Sequence, residues 1–394
     1  MAMGALQGTV AIDVSAHLAG PYAGSLLGDL GCEIIKVELP GQGDTHRRAR
    51  NPREEAYSPS FRALNRNKKS VTLNLKEQEG RQILLRLLEK ADILIENFRP
   101  ETRKRLGLDY DDLRKLNPKL IHCSISGYGQ SGPYRNRPGF DTIGQALSGM
   151  LSLVTDLENP KVAGLSFVDH STGTFAAYGI LAALLAREKT GRGQFVDLSL
   201  LSVSLAFVES QVADYLNGGD AVTRESFPRA RIYCFLGSDK RPLVVHLSAH
   251  QKAWEGLIKA VERTDLLEDP RFATRRGRAE HHYEIVNTLQ EEFRKKPRHH
   301  WLHALHANRV PNAPINTIQE SFQDPQVKHL GFPKQMDHPK MGPTNLIGNP
   351  VNLSETPARL LQAAPLLGEH TEEVLKRFGF DKEAVEGLRA RGVI

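Results

Sequence analysis

Residues 9–39, TVAIDVSAHLAGPYAGSLLGDLGCEIIKVEL, decide the fold. Thr9 to Ser15 is apolar and β-branched enough for a strand. Gly20-Pro21 then turns the chain, with Pro21 suited to a first helical position. Tyr22 to Leu30 reads as a short helix that Gly31 ends, and Glu33 to Leu39 reads as a second strand. The pattern repeats outward. Ser70 to Leu75 is a third strand, followed by a helix from Glu77 to Lys90. Ala91 to Phe98 is a fourth strand and Leu120 to Ser126 a fifth. Strands separated by helices imply parallel βαβ units in a doubly wound, Rossmann-like α/β sheet.

Further along, Gly173 to Glu188 is apolar nearly all round, which predicts a buried helix, with Gly191 placed just past its end. Phe195 to Leu201 alternates Val196, Leu198 and Leu200 with Asp197 and Ser199, the pattern of a half-buried strand. The character changes near 205–230. A strand-like Pro242 to Leu247 and a charged helical stretch up to Asn308 predict a smaller α+β domain. Val310-Pro311-Asn312-Ala313-Pro314 reads as an exit linker.

The chain has 394 residues, 40% of them hydrophobic and 25% charged, an ordinary globular composition. No apolar run reaches the roughly 18 residues that a membrane span needs. The start of the chain has neither the basic nor the apolar region of a targeting peptide. The three cysteines, Cys32, Cys123 and Cys234, fit neither a disulfide frame nor a zinc pattern. They read as reduced thiols of a cytoplasmic protein. A net charge of +6 invites a nucleic-acid reading. The basic residues are scattered, however, and the densest cluster (Arg47, Arg48, Arg50, Arg53) lacks interleaved aromatics. A small phosphorylated ligand explains the bias equally well.

Four candidate sites emerge. The turn from Ser15 to Pro21, followed by Glu38, has the layout of a dinucleotide site but lacks its three glycines, so a nicotinamide cofactor is not expected. His299, His303 and His306 share one helical face and raise the question of zinc. Trp301, Leu302 and Leu305 opposite them make an ordinary amphipathic helix, and no carboxylate lies between the histidines, so no metal is expected. Asp169, in Phe167-Val168-Asp169-His170-Ser171-Thr172-Gly173, reads as a helix N-cap or as a nucleophilic carboxylate kept ionised by the helix terminus. In the second reading the small Gly173 admits a ligand; composition alone does not choose. Last, Arg47, Arg48, Lys68, Lys69, Lys76, Arg99, Arg103 and Arg105 mostly follow strand ends, where open α/β sheets bind ligands. Each taken singly reads as a solvated charge.

Many short stretches, in order, resemble class III CoA-transferases, the CaiB/BaiF family. They include Leu18-Ala19-Gly20-Pro21, the run Gly28 to Glu38, Gly43-Asp44, Asn65 to Ser70 and Glu96-Asn97-Phe98-Arg99-Pro100. Gly127 to Pro133, Arg137-Pro138-Gly139-Phe140-Asp141, Gly191 to Gln194 and Pro365 to Thr371 continue the series. The likeness is weaker from about 205 to 300. The resemblance implies a large domain built from both chain ends around a small central domain, in an interlocked homodimer. Its boundaries here would be 1–205, a linker at 206–230, a small domain at 231–310, and 311–394 returning to the large domain.

The resemblance also places the catalytic aspartate on Asp169 and an acid near the reacting carboxylate on Asp141. It places CoA contacts on Leu73, Lys76, Asn97, Phe98 and Arg105, with His17 and Arg99 beside them. The activity implied is movement of coenzyme A from an acyl-CoA to a free carboxylic acid, through aspartyl anhydride and aspartyl-CoA intermediates. The CoA thioester is a substrate, and no permanently bound cofactor is expected. Dicarboxylates such as succinyl-CoA are the expected acids, with His17, Arg47 and Arg48 available to a distal carboxylate. An α-methylacyl-CoA racemase is the alternative. That branch carries a proton-moving histidine where this chain has Phe140, and phenylalanine moves no proton. A CoA-binding protein without catalysis is the third reading, and it would have no need of Asp169.

Overall fold

The computed structural model describes residues 3–49, 57–162, 164–220, 222–224, 231–247 and 251–394. Arg50, Arg53 and part of the 206–230 stretch lie outside these. The chain divides into two compact units. The larger comprises residues 1–151, 161–212 and 332–394, and the smaller 152–160 and 213–331.

The larger unit is built on six parallel strands: β1 Val10–Asp13, β2 Glu33–Glu38, β3 Lys68–Thr72, β4 Ile93–Glu96, β5 Ile121–Ser126 and β6 Phe195–Ser199. Their order is β3-β2-β1-β4-β5-β6. The order reverses between β1 and β4, which are hydrogen-bonded neighbours, and a crevice opens beyond the carboxyl ends at such a reversal. Among the described residues up to 207, eight α-helices accompany the sheet: α1 Ala19–Asp29, α2 Pro59–Leu64, α3 Gln78–Leu88, α4 Pro100–Arg105, α5 Tyr110–Leu116, α6 Asp141–Leu147, α7 Phe167–Thr190 and α8 Leu200–Phe207.

Strand alternation sorts side chains to two faces. Ala11, Ile34, Ile93, Ile95 and Cys123 join α1 and α7 in one core. Ile12, Val14, Ile35, Val37 and Leu94 join α3 in the other. The second core is completed by Val374, Leu375, Val385 and Leu388 from the last two helices, Thr371–Arg377 and Lys382–Ala390, and by Phe378 just after the first of them. The Asn74 N–H donates to the Val393 carbonyl at 2.7 Å, and the His370 N–H to that of Ser70 at 2.9 Å. Both chain ends therefore make the large unit, as the resemblance implies.

Several sequence expectations change: Gly20-Pro21 lies inside α1 rather than before it, and the strand expected to reach Leu201 ends at Ser199, where α8 takes over. Helix α7 begins at Phe167, six residues before Gly173, because the polar run Asp169 to Thr172 lies inside its first turns. Asp169 is thus its third residue; Ser166 holds the cap position and gives no side-chain cap. Helix α7 is also not buried all round. Phe175, Tyr178, Leu181 and Leu185 are exposed, so an apolar sequence marks a face left open in the single chain. Finally, Asn312–Pro314, read as part of a linker, is strand β9. It pairs antiparallel with β8 Pro242–His246, itself paired with β7 Ile232–Leu236. Helices pack this small sheet around Trp254, Phe272, Leu289, Phe293, Trp301 and Leu305.

Candidate active site

Several charges on and after β1 to β3 are internal. Lys68, expected at the surface, is fully buried. Its Nζ donates to Asp13 Oδ2, the Pro21 carbonyl and Asn65 Oδ1 within 3.0 Å. Burial pulls this ammonium down to about 8 against the attraction of Asp13. Lys36 donates to the Ser15 carbonyl at 2.8 Å and pairs with Asp44 at 3.1 Å. Arg47 is buried too. Its guanidinium pairs with Glu38, donates to the Pro365 carbonyl, and stacks at 4.1 Å from the Phe61 ring centre and 4.5 Å from that of Tyr57. Arg47 is therefore spent on the fold and is unavailable to a substrate carboxylate. Arg48 is exposed and lines neither cavity described below.

This network shapes the loop after β1. Asn97 follows β4; its Oδ1 accepts from the Ala16 N–H at 3.0 Å and its Nδ2 donates to the Ala16 carbonyl at 2.8 Å. The next residue, His17, has φ of +69°, uncommon for a side chain with a Cβ. Its N–H reaches Asp44 Oδ1 at 3.3 Å. The loop is thus pinned across the sheet's reversal, with the His17 ring exposed and 6.4 Å from that of Phe140, edge to face.

Two cavities adjoin there, sharing Phe98 and Thr102. The first, about 360 Å³, is lined by His17, Asn97, Phe98, Arg99, Phe140 and Asp169, among others. The second, about 280 Å³, is lined by Leu73, Lys76, Phe98, Arg105 and the walls Val14 to Ala16 and Val37 to Leu39. Asp169 and each of the expected CoA contacts line one of them, whereas Asp141, Arg47 and Arg48 line neither. Leu73 is buried, while Lys76, Arg99 and Arg105 are exposed cations.

Asp141 stands behind Asp169. Its Oδ1 accepts the Asp169 N–H at 2.9 Å, and its Oδ2 accepts from Gln145, whose amide also reaches the Leu165 carbonyl. Asp141 thereby fastens α6 to the first turn of α7. The Asp169 carboxylate itself accepts no hydrogen bond from a described residue. Burial, and then the negative charge of Asp141, raise it to about 7. Both effects act against the helix terminus expected to keep the group ionised. Gly173 does not admit a ligand either. A Cβ there would stand 2.6 Å from the Ala19 carbonyl and 3.0 Å from the Tyr22 ring, so the glycine lets α7 lie against α1.

The loop from Gly127 to Phe140 supplies lining that residue-by-residue reading missed: Arg135 and Arg137. Gly127 and Gly139 meet backbone to backbone, a Cβ on Gly139 coming within 2.6 Å of the Gly127 Cα. The signal was present as two glycine-containing motifs in register, but not as a site. On the smaller unit, His299, His303 and His306 are exposed on helix Arg298–Ala307, and Trp301 and Leu305 are buried. Among the described residues no group of three or more His, Cys, Asp or Glu is arranged to hold a metal. Nor is any helix among them long and apolar enough to cross a membrane.

The chain thus has a parallel sheet with a carboxylate, Asp169, in the first of two contiguous cavities at its reversal, and exposed cations in both. Residues 6–371 match CoA-transferase family III. An acyl-CoA transferase of Fusarium pseudograminearum is 37% identical over 99% of this chain and 88% of its own. The succinyl-CoA:glutarate CoA-transferase of Mus musculus is 34% identical, covering 99% of this chain and 90% of its own. The succinyl-CoA–L-malate CoA-transferase beta subunit of Chloroflexus aurantiacus is 34% identical, over 99% and 98%. The crystal structure of a CaiB/BaiF family protein from Brucella suis superposes with a TM-score of 0.84 at 31% identity, over 96% of this chain and all of that one. The chain belongs to CoA-transferase family III, the CaiB/BaiF proteins, and is a CoA-transferase.

Proposed function

We propose that this enzyme moves coenzyme A from a dicarboxylic acyl-CoA, of the succinyl-CoA type, to a second dicarboxylic acid, with Asp169 as the nucleophile. The observation that carries the reading is the Asp169 carboxylate, half-buried, without a hydrogen-bond donor, in a cavity contiguous with one that offers Lys76 and Arg105. The second cavity takes the nucleotide end of CoA, its cations meeting phosphates. The first takes the thioester. Relatives named for succinyl-CoA with glutarate or malate support the choice of acids.

In this mechanism an Asp169 oxygen attacks the thioester carbonyl carbon. The C–S bond breaks and CoA leaves as thiolate, giving a mixed anhydride. The thiolate then attacks the Asp169 carbonyl carbon. The anhydride C–O bond breaks, the first acid departs as carboxylate, and an aspartyl-CoA thioester remains. The acceptor carboxylate attacks that thioester and expels thiolate. Thiolate attacks the acceptor acyl carbon of the second anhydride, which frees the new acyl-CoA and the Asp169 carboxylate. Each step exchanges one activated acyl group for another, so no nucleotide hydrolysis and no resident cofactor is needed. Splitting the transfer into covalent steps lowers each barrier, and excluding water protects the intermediates.

The enzyme acts as a homodimer, in the cytoplasm. The open apolar face of α7 supports the first statement, since contiguous exposed apolar surface marks a protein contact; three free cysteines suit the second. The test of mechanism is trapping. Enzyme incubated with donor acyl-CoA alone is expected to yield, on hydroxylamine or borohydride treatment, an adduct in the peptide bearing Asp169. An unmodified Asp169, with deuterium entering the substrate Cα from solvent, would overturn the reading in favour of a racemase.

A further inference from the structure

We infer that Arg137 anchors the distal carboxylate of the acid that exchanges CoA, an inference that rests on the dicarboxylate transferase reading above. Arginines near this end of the sheet fall into two groups. Arg47 is committed to Glu38. Arg103 is committed to Asp109 and Gln130 and lies 4.0 Å from Glu96. Arg99, Arg135 and Arg137 instead line the Asp169 cavity, and their guanidinium groups donate to no described residue. Three cations without a partner among the described residues, in one concavity, draw anions.

Arg137 differs from the other two in being held. Its guanidinium carbon lies 3.8 Å from the centre of the Tyr134 ring. Tyr134 packs edge to face on Tyr128 at 5.8 Å, and the Tyr128 hydroxyl donates to the Pro138 carbonyl at 3.0 Å. An aromatic face fixes an arginine without occupying its N–H fork, which stays free for bidentate pairing with a carboxylate. Carboxylate neighbours would have neutralised it, as they do Arg47. The phosphates of CoA have separate cations, Lys76 and Arg105, in the adjoining cavity. The cavity containing Asp169 therefore has a fixed cation without an assigned anion, and the free end of a short dicarboxylate supplies one.

Glutarate and pentanoate have the same chain length and differ in that carboxylate. Each is offered as acceptor with the same donor acyl-CoA, and the ratio of their kcat/KM values is read. Losses in CoA binding or in donor handling are common to both arms and cancel. Wild type is expected to prefer glutarate. Arg137→Ala is expected to cut the ratio about 10–100-fold, the worth of a charge-assisted hydrogen-bonded pair. Arg137→Lys, which keeps the charge without the fork, is expected to recover part of it. If Arg137→Ala fails to fold, the Lys and Gln variants read the same ratio. A ratio unchanged in the variants while both acids slow together would overturn the inference and assign Arg137 to CoA or to loop structure. A wild-type enzyme that transfers CoA to both acids equally would overturn it while leaving the transferase intact. Absence of transfer to any acid would instead remove the functional reading itself.

Discussion

Asp169 is subject to opposed influences, and magnitudes settle between them. A carboxylate in the first turn of a helix gains roughly 0.3–1 kcal/mol from the macrodipole, less than the 1.36 kcal/mol of one pKa unit. Burial and the Asp141 charge act the other way and leave the group at about 7. Only the ionised form attacks a thioester, so kcat/KM is expected to rise with pH through about 7 and then level. His17, Arg99, Arg135 and Arg137 line the same cavity, and an anionic ligand's own charge moves the midpoint in the complex. A profile flat from pH 5.5 to 8.5 would refute a titrating nucleophile. The stability sign follows from the same shift. The folded value lies above the usual carboxylate value near 3.9, so the native state holds the proton more tightly. The associated stabilisation is complete below about pH 4 and lost as pH rises through 7. Asp169→Asn is therefore expected to abolish transfer, to fold normally, and to resist denaturant better than wild type at pH 8. Equal unfolding midpoints there, or retained turnover, would count against the assignment.

At the scale of elements, the site depends on how closely α7 approaches α1. Gly173 lies one turn beyond Asp169 on the same helix, and the carbonyl of Ala19 and the ring of Tyr22 occupy the space a side chain would take. Gly173→Val forces the helices apart. It is expected to cost about 1–3 kcal/mol, the usual penalty of overpacking, read as a lowered melting temperature. It should also slow transfer, because Asp169 moves with its helix. Wild-type melting together with wild-type rate would mean that the contact is looser than the geometry implies. Asn97 works at the same scale from the other side. Its two hydrogen bonds to Ala16 tie the loop after β1 to the end of β4, on the two strands between which the sheet order reverses.

For the whole molecule, the open face of α7 sets the expectation. Tyr178 is 67% exposed and Leu185 63%, at a spacing that places them on one stripe. Burial of an apolar side chain is worth about 1.5–3 kcal/mol, so covering this stripe would stabilise an assembly, and a second copy is the partner proposed. Light scattering is expected to give about twice the chain mass of 43.8 kDa. Tyr178→Asp combined with Leu185→Asp is expected to shift the mass toward that of one chain. A monomeric wild type at micromolar concentration would remove the dimer.

The sequence alone determined the parallel sheet, because β-branched strands, the end of a helix at Gly31, and short connections are local properties. Through motifs in register it also put forward Asp169, Asp141, Asn97, Phe98 and Arg105 as site residues. Tertiary structure decided what local pattern does not encode. Apolar periodicity in α7 reports that a face avoids water, not whether the same chain covers it. An arginine reads alike in sequence whether it is buried against Glu38, as Arg47 is, or propped on Tyr134 in a cavity, as Arg137 is. Likewise, whether the Asp169 carboxylate is ionised at neutral pH depends on desolvation and on an acid 28 residues away in the chain. Distances across the fold set these energies, and only the folded chain brings such groups together.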